Sequence, residues 1–474
     1  NIFHVTAQKT QQRGEAQFTV HDNTCPACGE QDALLLLGAP NATLGSQVVE
    51  NSWASVFNDD KKLIAFSDSV QDAAHRAGFF GARTYLNNVR TARAHAMDEL
   101  RQPVMPWSDF LVALEQRFHT PGSVLNMPRE EFVAEFIAPN MTWQHDWSVE
   151  LLQHNRLPPE SRLPGRVKNR ILWQAYSELT YQSQKGRTLE RIGKAVLTVP
   201  WPALEEVARE LLPRYQEQYR AQGLELKTVT QWLWGMLTHM RRRGGVMHPE
   251  LTAYAADGNL FGLLKTAGRG EWLPRMGPNT PRPVFLTQGT QRDFDKLSSA
   301  RRSTWYDRWA DAVLGQQALL GRGLAADLYG EALKAMGAAG LLVRTAHHQG
   351  DTWALNPDRL ELHTAVAYIA TDGSKRRLTV PRGVAEHLIG MPCLDAPESR
   401  YEVLVPDAAS WWARRYSQGD LRRVIAAEHT GLLERQVREE LEGRFKSKQP
   451  KAWYENLLSA TPTLEMGVDI GDLS

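Results

Sequence analysis

The chain has 474 residues, 55 Lys and Arg against 54 Asp and Glu for a formal charge of +1, and 42% apolar side chains. It can bury substantial cores and predicts about three domains; it is neither an acidic disordered chain nor one with a basic tail, and no apolar run approaches the roughly 18 residues of a bilayer span. Three cysteines exclude a disulfide framework, and the opening Asn-Ile-Phe-His-Val-Thr lacks a charged-then-apolar leader, which points to a reducing cytoplasm and no membrane partner.

Residues 1–45 are mixed polar sequence around Cys25-Pro26-Ala27-Cys28-Gly29, a tight turn that presents two thiolates together as half of a zinc ribbon does. Tetrahedral zinc takes four ligands and Cys393 is remote. The missing pair would be His4 and His21, or cysteines upstream of residue 1; a turn that holds no metal is the third reading. Residues 45–57 have helical spacing, and Leu63-Ile64-Ala65-Phe66 is a short continuous apolar run of the kind buried in a parallel sheet. Ser69 with Asp72 three residues on is a capping-box pattern. Val70, Ala73, Ala74, Ala77 and Phe80 then share one helical face and carry a helix towards Arg90. Strand, loop and capped helix make one α/β unit over residues 46–95.

Residues 96–300 are Trp- and Arg-rich and helical in period, with candidate helices at 169–181, 201–222 and 228–242 and a Pro-rich loop at 274–283. Trp232, Trp234, Met236 and Met240 read as core rather than a ligand box. Residues 305–314, 325–329 and 331–339 predict three short helices. Strands at 341–344 and 352–355 follow, around a solvated polar tip, His347-His348-Gln349-Gly350-Asp351. Three helices and then a hairpin is the order of a winged helix, assigned to residues 301–365. Residues 301–380 carry 10 basic against 8 acidic side chains, so no strongly basic face decides between nucleic-acid contact and protein contact.

Residues 366–417 read as irregular β structure with a basic tip at Lys375-Arg376-Arg377. The α/β pattern returns over 418–474. Residues 424–427 are a buried strand, Glu428-His429-Thr430-Gly431 a loop, and 432–445 an amphipathic helix with Leu433, Val437, Leu441 and Phe445 on one side. Residues 456–460 are another strand, 461–467 a loop, and Val468-Asp469-Ile470 starts a further strand. The chain begins without Met and stops just after that strand, so it is expected to be a piece of something longer.

Taken in order, these loops resemble the second RecA-like lobe of superfamily-two DEAD/DEAH-box helicases. The segment from Leu63 to Ser69 resembles motif IV, and Glu428 to Arg435 resembles the strand–His–Gly–Leu–Arg segment after it. Ala460 to Asp469, Ala-Thr-Pro-Thr-Leu-Glu-Met-Gly-Val-Asp, is similar to motif V. Phe66 through Phe80 and Gly186-Arg187-Thr188-Leu189-Glu190 are also similar to large bacterial helicases of phage-defence clusters. The resemblance implies an α/β fold: a RecA-like parallel-sheet lobe, residues 46–95 plus 418–474, interrupted by a mostly α-helical insertion that contains a winged-helix domain. It further implies ATP and Mg as cofactors of the parent protein. The partners it implies are DNA as a single strand or junction, a first RecA-like lobe of the same parent chain, and defence-system proteins.

Hydroxyls and helix-N-terminal amides at the ends of parallel strands face one crevice, so Ser67, Ser69, Thr430 and Thr461 are expected to donate to successive backbone phosphates. Gly431 and Gly467 would admit a closely approaching backbone or a positive φ. By the same resemblance Gly467 and Asp469 lie near the nucleotide, and Arg435 joins the nucleic-acid-binding set. Arg344, Lys375, Arg376 and Arg377 are the basic candidates on the insertion, and Cys25 and Cys28 the metal candidates. No Gly-x-x-x-x-Gly-Lys-[Ser/Thr] and no Asp-Glu-x-His box occurs, so this polypeptide alone is expected to hydrolyse no ATP and to hold no catalytic residue. The alternative reading is a non-enzymatic nucleic-acid-binding or assembly module in which the lobe is a scaffold.

Overall fold

The computed structural model describes residues 8–13, 16–21, 40–67, 69–218, 223–258, 272–274, 276, 280–289, 293–299, 302–315, 322–372, 376–406 and 410–461, by backbone alone up to residue 44 and at 218, 257 and 322–324. The fold is mixed α/β with several small sheets, one of them parallel. That sheet unites two segments remote in sequence. Strands Ala426–His429, Leu457–Ala460 and Leu63–Phe66 lie side by side in that order. Leu63 pairs with Leu457 and Phe66 with Ala460, while Ala426 pairs with Leu457 and His429 with Ala460, so all three strands end level.

Successive side chains of a strand point to opposite faces, and both faces here are covered. Leu457 packs with Val49, Trp53, Phe80 and Val424 under helices Pro40–Ala54 and Val70–Leu100. Leu458 packs with Leu441 and Phe445 of helix Arg435–Phe445 on the other side. Double burial is the reason strand Leu457–Ala460 is buried at every position, Ser459 included, instead of alternating. The apolar stripe of Arg435–Phe445 is narrower than its sequence predicts, because Val437 is 46% exposed.

Helix Val70–Leu100 starts where the capping box places it, with Ser69 Oγ accepting from Asp72 N at 3.1 Å. It runs on past Arg90 to Leu100, 31 residues or about 46 Å. Phe80 sits in the core of the parallel sheet, whereas Tyr85, Val89, Ala92 and Met97 sit in the large core that occupies the rest of the chain. One rod is therefore shared by two cores. The large core runs through residues 96–300, 301–365 and 366–417 alike and takes in Trp232, Trp234, Met236 and Met240.

Among the described residues of 301–341, two helices rather than three precede the hairpin. Trp305–Leu314 forms as expected, but 325–329 and 331–339 are one helix, Arg322–Ala338, with Gly330 inside it. Ala325, Leu328, Tyr329, Ala332, Leu333 and Met336 are all buried at i, i+3, i+4 spacing, and tertiary burial outweighs the roughly 1 kcal/mol helix penalty of a glycine. Helix Leu226–Arg242 supplies the third packed helix: Trp232 Nε1 donates to Tyr329 Oη at 3.1 Å and Trp309 Nε1 to the Trp232 carbonyl at 3.0 Å. The hairpin Leu342–Thr345 and Thr352–Leu355 is extended by Leu286–Thr287 and Asp295–Lys296 into four strands. Residues 366–417 are more regular than expected, with Val366–Ala370 between Arg377–Pro381 and Val403–Val405 in an antiparallel sheet. Among the described residues, no helix is long and apolar enough to cross a membrane.

Candidate nucleic-acid interface at the ends of the parallel strands

The level strand ends bring Ser67, Thr430 and Thr461 to one edge of the sheet. Ser67 N donates to the Ala460 carbonyl at 2.8 Å and Thr461 N to the His429 carbonyl at 3.4 Å, so the ladder fixes the first residue of two of these loops. His429 Nε2 lies 2.8 Å from Glu442 Oε1, which ties the third strand end to the helix behind it.

The hydroxyls differ in what they have left to offer. Ser67 Oγ donates to Asp72 Oδ2 at 2.8 Å, and Asp72 is in turn held by Arg76 at 2.6 Å. Ser67 thus serves the start of helix Val70–Leu100, a role its sequence position does not reveal. Ser69 Oγ accepts the cap hydrogen bond and retains its own proton. Thr430 is 1% exposed and its Oγ1 has no hydrogen-bond partner among the described residues; the same holds for Ser459 Oγ in the central strand. Thr461 is buried.

Of the two reasons expected for Gly431, positive φ does not apply. Its φ is not left-handed, and a Cβ built there would meet nothing within 4 Å. No neighbour among the described residues demands glycine, and Leu432 beside it is 80% exposed. Gly431→Ala is accordingly expected to change stability by less than about 0.5 kcal/mol. Urea titration followed by circular dichroism checks this, and a loss above about 1 kcal/mol would reveal a constraint the backbone does not show.

The basic candidates belong to other elements. Arg435 is exposed and pairs with Glu439 at 2.7 Å along its own helix. Arg344 Nε donates to Asp351 Oδ2 at 2.6 Å across the hairpin tip. Arg376 N donates to Thr371 Oγ1 at 3.2 Å, and Arg377 is exposed at the start of its strand. Lys375, Gly467, Asp469, Cys25, Cys28 and His4 lie outside the described residues, and His21 is described by backbone alone. Among the described residues no group of three or more His, Cys, Asp or Glu could hold a metal ion.

Sequence reasoning missed the buried charges. In the segment Gly186 to Glu190, Arg187 donates to Glu50 Oε1 at 2.8 Å and to Gln47 Oε1 at 2.9 Å, and its guanidinium stacks 3.8 Å over the Trp412 ring. Leu189 N donates to Glu178 Oε1 at 3.0 Å, and Glu190 takes both ends of the Arg241 guanidinium at 2.7 and 3.1 Å. This stretch clamps helix Pro40–Ala54 and the large core together. Between the sheet and that core, Arg423 donates to the Ala134 and Ile137 carbonyls, and Glu135 Oε2 accepts from Arg423 N at 2.6 Å. Burial pushes the Arg423 guanidinium down to about 10 and lifts the Glu135 carboxyl above its ordinary value despite Arg422 beside it. No signal of period or spacing marks these residues; they pair across tens to hundreds of positions. No protein family, curated protein or solved structure matches the chain.

Proposed function

We propose that the chain supplies the second motor lobe of a DEAD/DEAH-box helicase or translocase, with its nucleic-acid-binding insertion, and that the strand-end edge grips the phosphate backbone of single-stranded DNA. The observation that carries this reading is the parallel register, which sets the ends of the motif IV-like, His-Gly-like and motif V-like segments level on one sheet edge. A buried Thr430 hydroxyl without a partner is a donor suited to an incoming acceptor, since leaving it unmade costs about 1–3 kcal/mol. The lobe is RecA-like on this reading. ATP and Mg would be held by this lobe together with a first lobe that brings the phosphate-binding Lys, and Gly467 and Asp469 would contribute to the nucleotide site from this chain. The parent acts in the cytoplasm, alongside defence-system proteins. Zinc at Cys25 and Cys28 needs two further ligands.

The test is anisotropy of labelled oligothymidylate titrated with the chain. Thr430→Val, which swaps an unpartnered hydroxyl for a methyl, is expected to weaken single-strand binding about fivefold with the salt slope unchanged, and to leave stability equal or higher. Replacing Lys375, Arg376 and Arg377 by Ala is expected to flatten the salt slope by up to about three units. Thr430→Val binding as wild type would remove the edge from the nucleic-acid path, and no binding at about 50 mM salt would sink the reading. Phosphate release by the chain alone is expected at background, and turnover near 1 per second would contradict the need for a first lobe.

A further inference from the structure

Helix Trp201–Gln218, the end of helix Arg322–Ala338 and Asp358 and Arg359 of the 3-10 turn Pro357–Arg359 line an open groove of about 630 Å³. Its apolar lining is of small side chains, from half-buried Ala203, buried Val207 and Leu341, and exposed Ala338. Its rim is acidic. Glu206, Glu210, Asp358 and Glu361 line it against one cation among the described residues, Arg359, a formal balance of 1 − 4 = −3. Glu210 is partnered by Arg214 at 2.8 Å and Glu361 by His363 at 3.1 Å. Glu206 and Asp358 are exposed and form no ion pair among the described residues. The groove also meets the last turn of a 17-residue helix at Ala335 and Ala338, where aligned carbonyls add negative potential.

We propose that this groove docks a cationic segment of a partner protein, a short stretch in which Lys or Arg alternates with apolar residues. Three features argue for that occupant. Carboxylates and a helix C-terminus together repel phosphate, so nucleic acid does not lie here, and the assignment stands whether or not the strand-end edge binds DNA. The alanine-rich lining lets a peptide backbone come close and takes short aliphatic side chains, while Glu206 and Asp358 meet ammonium or guanidinium heads. An open groove covers too little of a small polyamine to hold it, whereas a peptide brings the rest of its protein as a cover.

The probe is a fluorescein-labelled Lys-Leu-Lys-Ala-Leu-Lys peptide, with its Glu-for-Lys counterpart as control, titrated with the 474-residue chain. The Lys peptide is expected to bind with Kd below about 100 μM at low salt and to weaken as salt rises. Glu206→Lys with Asp358→Lys is expected to weaken it at least about tenfold with the melting temperature unchanged. Should that variant fail to fold, Glu206→Gln with Asp358→Asn is expected to weaken binding about three- to fivefold. Equal binding of the Glu peptide, affinity indifferent to both double variants, or displacement by equimolar spermidine would each overturn the assignment.

Discussion

Gly235→Ala is expected to abolish the native thermal transition of the large core or to destabilise it by several kcal/mol, because a methyl here makes the closest clash of any glycine among the described residues. A Cβ at Gly235 would lie 1.9 Å from Trp309 Cζ2 and 2.5 Å from Cε2, far inside the roughly 3.5–4.0 Å at which carbons attract. The indole has nowhere to go. Trp309 is fully buried, its Nε1 donates to the Trp232 carbonyl on the same helix as Gly235, and its ring stacks on Trp305 at 5.3 Å. Alanine gains about 1 kcal/mol of helix propensity, but overpacking a filled core costs typically 1–3 kcal/mol and more where neither side can shift, so the clash wins. Gly443→Ala, also in a helix but with nothing within 4 Å, should instead stabilise by about 0.5–1 kcal/mol. Trp309→Phe combined with Gly235→Ala should recover part of the loss, and melts of the four-member cycle read the coupling. A Gly235→Ala protein that melts with wild type would show that the two helices are not packed at this distance.

What was legible in the sequence is what local chemistry dictates. Leu457–Ala460 is buried along its whole length, Ser459 included, because a central parallel strand is covered on both faces, whereas Leu63–Phe66, an apolar run expected to be buried, lies at the sheet edge with Phe66 47% exposed; Ser69 with Asp72 marks a helix start that needs no distant partner. The hydroxyls at the loop starts could be placed for the same reason, once the strands were aligned. Tertiary terms decided the rest. Gly330 reads as a break in 322–338, yet buried faces on either side carry the helix through it, and the third helix packed with the hairpin is Leu226–Arg242, outside the window in which the local pattern sought it. Val437 fits the apolar spacing of its helix and still faces solvent, since only Leu441 and Phe445 reach Leu458. The commitment of Ser67 to Asp72 and the pairing of Glu190 with Arg241 depend on side-chain direction and on contacts between remote segments, neither of which has a period to read.

Arg241→Met is expected to destabilise the protein by about 3–5 kcal/mol at pH 7.5, because it leaves the buried Glu190 carboxylate without its main partner. Burial alone would raise the Glu190 and Glu178 carboxyls. Arg241 and Arg242 outweigh it at the first, Arg90, Arg93 and the Leu189 amide at the second, and both are held below the ordinary carboxylate range. A carboxyl depressed in the folded state contributes stability above its unfolded pKa of about 4.3 and loses it as pH falls through the folded value, so in wild type both pairs begin to lose that contribution only below about pH 4.3. In Arg241→Met the sign reverses at Glu190. Without the guanidinium, burial raises its folded pKa above the unfolded one, and protonation then restores stability as pH falls towards about 4.3. The gap between wild type and variant should therefore narrow between pH 7.5 and pH 5 in urea titrations. Adding Glu190→Met should recover much of the loss at neutral pH and remove that pH dependence, since replacing both members of a buried pair by apolar groups is often neutral. A cost under about 1 kcal/mol that ignores pH would mean that water reaches Glu190 and that its pair with Arg241 does not hold the large core together.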